Sequence, residues 1–230
     1  MAYFAFFGTI VGYNFVKFVA LFSEKQTKIQ LKLKGILVLS ILSFLAVGFY
    51  FFQLQKSTQI IAIVFLIFTL LYALPFFPNR KNARNWAGVK IYIVSLCWVG
   101  VTVVLPILNA DILVSTDFYL QCFQRFIFIF VLILIFEIID LAKDDPHLQT
   151  VPQQIGVRNT KILGFCLLII FCSLELFKNT TEILSLILEF IIATVIVLFL
   201  AFANENRSKY YTSFWVESIP ILWCILLLLL

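Results

Sequence analysis

The residues best placed to do chemistry lie in one polar stretch between apolar runs, Phe136 to Lys161, which carries Glu137, Asp140, Asp144 and Asp145. On a helix, offsets of three and four residues return to the same face, so Glu137, Asp140 and Asp144 would line one side of a helix end. Three acids on one face at a membrane edge are costly unless something cationic meets them. A magnesium ion carrying a diphosphate would do so, because Mg²⁺ is typically held by one or two carboxylates plus substrate phosphates. The same spacing also suits a solvated helix end that is merely acidic, and spacing alone does not separate the two.

A second group is cationic. Arg80, Lys81, Arg84 and Lys90 crowd a segment that follows Pro75 and Pro78, prolines that stop the preceding helix. Such a loop is either a topology signal or a phosphate clamp, for which the planar Arg fork is well shaped. Other polar residues stand inside or beside apolar runs. Arg125 would snorkel to an interface or pair with an acid such as Glu189. Glu175 and Glu182 flank a loop and need no special role. Glu217 is either a bundle-facing contact or a site residue. The five cysteines all fall in apolar runs without a C-x-x-C pair and read as small packing residues. With one histidine, His147, a zinc site is not expected.

The elements that must position these residues follow from composition. The chain has 230 residues, 63% hydrophobic and 13% charged, with a mean hydropathy of +1.06. Soluble domains are roughly 45–50% apolar and about 25% charged, so this is an integral membrane protein. Runs of about 20 apolar residues are long enough to span a bilayer. Eight qualify, at about 2–22, 35–54, 59–77, 89–108, 118–141, 162–177, 183–203 and 212–230. The expected fold is an all-α polytopic transmembrane bundle of about eight spans, one domain over 1–230. Nothing has the alternation of a β-barrel strand set, and nothing points to nucleic acid.

Charge placement orients the bundle. Alternate loops carry Lys25, Lys28, Lys32 and Lys34, then Arg80, Lys81, Arg84 and Lys90, then Lys143, Arg158 and Lys161, then Arg207 and Lys209. The opposite loops carry only Lys56 and Lys178. The positive-inside rule assigns the first set, and the acidic stretch with it, to the cytoplasm. Both termini then fall outside, which is awkward for a chain without a secretory signal and suggests that a first helix precedes Met1, a genuine eight-helix chain being the alternative.

Read with its neighbours, the central stretch resembles the UbiA-type intramembrane prenyltransferase superfamily. In that family an acidic D-x-x-x-D motif follows a long helix and precedes a T-x-P-x-x-x-G segment. Here E-I-I-D-L-A-K-D is followed by Thr150, Pro152 and Gly156, with Glu137 standing where Asp is usual. Tyr72 and the basic residues after it resemble the family's tyrosine-containing cationic loop. F-x-G-T-x-x-G-Y-N at 6–14 resembles the end of its second helix. The order of runs then fits family helices two to nine. The departure is in the family's first acidic motif: Asn14 is kept, but Phe15, Val16, Lys17 and Phe18 follow it where acids are expected.

The resemblance implies a Mg²⁺-dependent enzyme of a membrane, by analogy the bacterial inner membrane, with its site facing the cytoplasm. It would transfer a prenyl group from a prenyl diphosphate to a lipophilic acceptor, such as an aromatic ring or quinone precursor. It implies Asp140 and Asp144 as catalytic metal ligands with Glu137 beside them. Arg80, Lys81, Arg84 and Lys143 become diphosphate contacts, Tyr72 and Asn14 orient the head group, and Lys17 stands in for the missing cation of the first motif. The rival expectation is a catalytically reduced relative that binds lipid or acts as a membrane scaffold. A transporter is disfavoured by the absence of paired broken helices. A phosphatidyl-alcohol transferase is disfavoured by the absence of its D-x-x-D-G-x-x-A-R motif.

Overall fold

A backbone that crosses a bilayer has no water to satisfy its N–H and C=O groups, so long apolar runs close on themselves as helices. The computed structural model describes residues 1–23, 31–74, 88–179 and 183–229, and it is all-α, with no strand among the described residues. The helices are α1 (Ala2–Ser23), α2 (Leu31–Phe51), α3 (Lys56–Ala73), α4 (Val89–Val99), α5 (Leu105–Asn109), α6 (Thr116–Asp140), α7 (Val151–Glu175), α8 (Ile183–Phe202) and α9 (Ile219–Leu229). Helix α4 continues through a π-helical turn, Gly100–Val104, into α5, and another, Tyr211–Val216, precedes α9. Each π turn lies just before a proline, Pro106 and Pro220. Proline supplies no N–H to the carbonyl four residues back, and the ladder widens to absorb the loss.

Seven of these segments are long and apolar enough to cross a membrane, and α1 contributes a shorter apolar helix, Ala2–Val16. This is the multi-pass bundle expected from the hydrophobic runs. The main departure is α7, which begins at Val151 and not near residue 162. Its first turns are polar and escape a hydropathy reading, but Thr150 and Gln153 start the helix as a capping box, with the Thr150 N–H donating to Gln153 Oε1 at 2.9 Å.

The chain divides into two compact units, with the boundary inside α4 after Ser95. The first contains α1–α3 and the stretch Leu96–Leu113. Here α1 pairs with α2 through a stack of Tyr3 on Tyr50, with ring centroids 5.3 Å apart. The pair is clamped at its other end where Asn14 Nδ2 donates to Ser40 Oγ at 2.9 Å. Gly100 lets the Phe65 ring of α3 lie directly on the π-turn backbone, where a Cβ would collide with it.

The second unit contains the start of α4 and α6–α9. Helix α6 is its axis: 61% of its span is buried, against 33% or less for every other span. It packs on α7, α8 and the π turn before α9. Lipid tails are as apolar as leucine, so association rests on close packing more than on the exclusion of water. The packing is correspondingly tight. Phe128, Phe171 and Trp223 form an aromatic knot with centroids 4.9 to 6.4 Å apart. At Gly164, α7 approaches α8 so closely that a Cβ would stand 2.5 Å from Leu200 Cδ2.

Candidate functional site

The acidic stretch forms the C-terminal end of α6 and its link to α7. Helix α6 ends at Asp140, but the turn continues: Asp140 O accepts from Lys143 N at 2.8 Å and from Asp144 N at 2.9 Å. Asp140 and Asp144 therefore keep their one-turn spacing past the helix end, both half-buried, with Lys143 and Asp145 exposed beside them. A short 3₁₀ turn, Pro146–Leu148, follows. Gln149 takes a left-handed backbone with φ +44°, which bulky residues rarely adopt. The loop is secured by its glutamines, as Gln153 Nε2 donates to Asp145 O at 3.2 Å and Gln154 Nε2 to Gln149 O at 2.6 Å.

Glu137 has a different task. It is only 3% exposed, and its Oε2 accepts the Val151 N–H at 3.0 Å. Val151 opens α7, where N–H groups lack intrahelical partners and a carboxylate is electrostatically welcome. Lys90 attracts the Glu137 carboxylate and Asp144 repels it. The bond requires a bend. Gln124 donates to Phe171 O at 3.2 Å, and from there an unbroken antiparallel pair would set Glu137 level with about residue 158. It reaches Val151 because α7 breaks at Gly156, where φ +79° and ψ 157° lie in a region essentially reserved for glycine. The break frees the first turn of α7 from the helix axis and brings it back to α6. Each element of the T-x-P-x-x-x-G segment thus has a local reason: Thr150 stands at the N-cap with its N–H held by Gln153, Pro152 sits in the first turn, and Gly156 makes the break.

Among the described residues, no three His, Cys, Asp or Glu side chains form a group that could hold a metal ion. Glu137 is engaged by Val151, which leaves Asp140 and Asp144 as a pair. A pair is within the one or two carboxylates that Mg²⁺ takes when phosphates supply further ligands. Lys143 lies on the same loop, and the other expected site residues fall in the first unit or outside the described residues. Asn14 and Tyr72 are in the first unit, Asn14 bonded to Ser40 and Tyr72 buried at the end of α3. Arg80, Lys81 and Arg84, with the side chains of Lys17 and His147, lie outside the described residues. Two clefts are lined by other residues, one at the C-terminal end of α8 and one on its apolar face.

The opposite end of α6 holds a polar cluster that sequence reasoning missed. Gln124, Glu175 and Glu189 are buried, and Gln124 Nε2 donates to Glu175 Oε2 at 3.1 Å and to Glu189 Oε2 at 3.0 Å. Lys178 bridges the same two carboxylates, in contact with Glu175 and 3.6 Å from Glu189. Glu175, expected to need no role, is thus a central member. Arg125 lies with its guanidinium 4.3 Å from the Trp223 ring, a cation–π contact, while Glu189 takes Gln124 and Lys178 as its close partners. The available signal was a polar residue at mid-helix, Gln124, facing two acids on later helices. Glu217 is exposed on the π turn's end and faces away from the bundle interior.

The chain was compared with protein-family models, curated proteins and solved structures, and none matches.

Proposed function

We propose that this membrane protein binds a prenyl diphosphate at the Asp140–Asp144 end of α6 and transfers the prenyl group to a lipophilic acceptor, in the manner of UbiA-type enzymes. The observation that carries the reading is the Glu137–Val151 bond together with the break at Gly156. These fix the polar loop against the end of the most buried helix, so that Asp140, Lys143 and Asp144 stand at the point where an apolar span meets water. That is where an amphiphile with a charged head and a long hydrocarbon tail would place its head group. The sequence resemblance through Asp140, Asp144, Thr150, Pro152 and Gly156 supports the same reading.

In this account Asp140 and Asp144 would hold Mg²⁺, which when bound supplies positive charge against the leaving diphosphate. Lys143 contributes a cation from the same loop. The allylic C–O bond breaks with its electron pair leaving on the diphosphate, the acceptor carbon forms the new bond, and the acceptor's displaced proton passes to water at the membrane edge. The apolar wall keeps water from the cationic carbon until the acceptor captures it. The catalytic side faces the cytoplasm by the charge asymmetry of the loops. Glu137 acts as a positioning residue for the loop.

A second reading, binding of an isoprenoid or lipid head group without turnover, is favoured by one specific feature: Phe15, Val16, Lys17 and Phe18 follow Asn14 where the family's first acidic motif carries its acids. One experiment separates the two. The purified full chain is incubated with isotope-labelled farnesyl and geranylgeranyl diphosphates, Mg²⁺ and a membrane lipid extract. Label transferred to a lipophilic product, and lost in Asp140→Asn, supports the enzyme. Retention of labelled diphosphate without product supports the second reading, and neither binding nor product overturns both.

A further inference from the structure

We propose a second anion site, separate from the acidic loop: a cleft at the C-terminal end of α8 that takes the phosphate of an anionic phospholipid. The cleft encloses about 430 Å³ and is bounded by Lys161 on α7 and by Ala201, Phe202, Asn204, Asn206 and Arg207 at and after the end of α8. Its lining contains two cations, two amides and no acid.

The cations are held side by side by the helix itself. The last carbonyls of α8 have no intrahelical donor. Lys161 Nζ donates to Ala201 O at 2.8 Å and Arg207 Nε donates to Phe202 O at 3.3 Å, so two adjacent carbonyls gather two positive charges. The Tyr211 ring, 5.5 Å from the Arg207 guanidinium and anchored by its hydroxyl on Phe199 O at 2.8 Å, fixes the plane of the fork. Each cation spends one donor on the backbone. A lysine has three and an arginine five, so both retain donors for an anion. The terminal nitrogens of a fixed guanidinium suit two phosphate oxygens at once.

The depth of the cleft selects the ligand. It lies where the apolar span Ile183–Phe202 ends, with the exposed Phe202 beside it. A lipid whose tails run along α8 would carry its phosphate to this level. Lys209 follows Arg207 in the same loop, and basic residues at the membrane surface attract anionic lipid. Capping the C-terminus of α8 accounts for one bond from each cation, but not for a cleft that excludes every acid of the loop, Glu205 included.

Native mass spectrometry of the detergent-solubilised full chain tests the site, with phosphatidylglycerol, phosphatidylcholine and inorganic phosphate titrated separately. The expected result is selective retention of phosphatidylglycerol, weakened about tenfold or more in Lys161→Ala/Arg207→Ala. Because that variant also uncaps α8, Asn206→Asp serves as the second variant. It places a carboxylate in the cleft without touching either carbonyl bond, and should weaken binding while leaving the melting temperature unchanged. Inorganic phosphate bound by the native chain and lost in both variants supports the anion site but assigns it to a free phosphate. Equal retention of the two lipids without phosphate binding, or retention of phosphatidylglycerol unchanged in both variants, overturns the proposal.

Discussion

The two ends of α6 solve the same problem in opposite ways. Both carry acidic residues next to a hydrocarbon span. At the Gln124 end the acids are drawn inside, where Glu175 and Glu189 share one amide and one lysine. At the Glu137 end a single acid is drawn inside to hold the start of α7, and Asp140 and Asp144 are left half-buried at the loop. Buried charge is tolerated only when paired and hydrogen-bonded. The first end is therefore a closed polar lock between helices. The second couples one locking residue to two acids that stay half-buried where the helix ends.

The largest effect should come from opening the lock. Lys178→Ala leaves two buried carboxylates without their bridging cation and should destabilise the protein by about 3–5 kcal/mol, read as a lowered midpoint of thermal unfolding in detergent. A loss below about 1 kcal/mol would mean that water already reaches the cluster, and the contrast between the two ends would weaken. Next comes the locking residue of the other end. Glu137→Leu strands the Val151 N–H at the half-buried start of α7, at a cost of roughly 1–3 kcal/mol, and should speed hydrogen exchange through the Val151–Ile155 turn more than through the rest of α7. Gly156→Ala forces a side chain into a glycine-only backbone region and should cost about 1–3 kcal/mol, with the same local pattern of exchange. If Gly156→Ala were neutral, the break would not be needed to bring Val151 to Glu137. The smallest effect belongs to the open residues. Lys143→Ala and Asp140→Asn should each change stability by no more than about 0.5 kcal/mol. A larger loss would place them with the lock.

Much of the fold was legible because its physics is one-dimensional. A run of about twenty apolar residues between polar connectors declares a span, whereas the π turns before Pro106 and Pro220 carry no hydropathy signal. The start of α7 was not legible from hydropathy because Val151–Lys161 is polar, although its capping-box residues, Thr150 and Gln153, stood in plain view. The acid pair Asp140/Asp144 was legible because it depends on helical spacing alone. The task of Glu137 was not, since the same offset of three residues serves a metal ligand and a helix-capping carboxylate equally well. The Gln124 cluster was hidden for a related reason: its members come from three helices, and no periodicity in one helix reveals which polar residue on another will meet it.

The central claim, that Asp140 and Asp144 at the end of α6 exist to hold a diphosphate head, is tested most directly by measuring Mg²⁺-dependent binding of labelled prenyl diphosphate to the native chain and to Asp140→Asn/Asp144→Asn, with thermal unfolding followed on the same samples. The account expects binding to fall at least tenfold while the unfolding midpoint stays within about 2 °C, the shift of a change well under 1 kcal/mol. Undiminished binding by the folded double variant would contradict it.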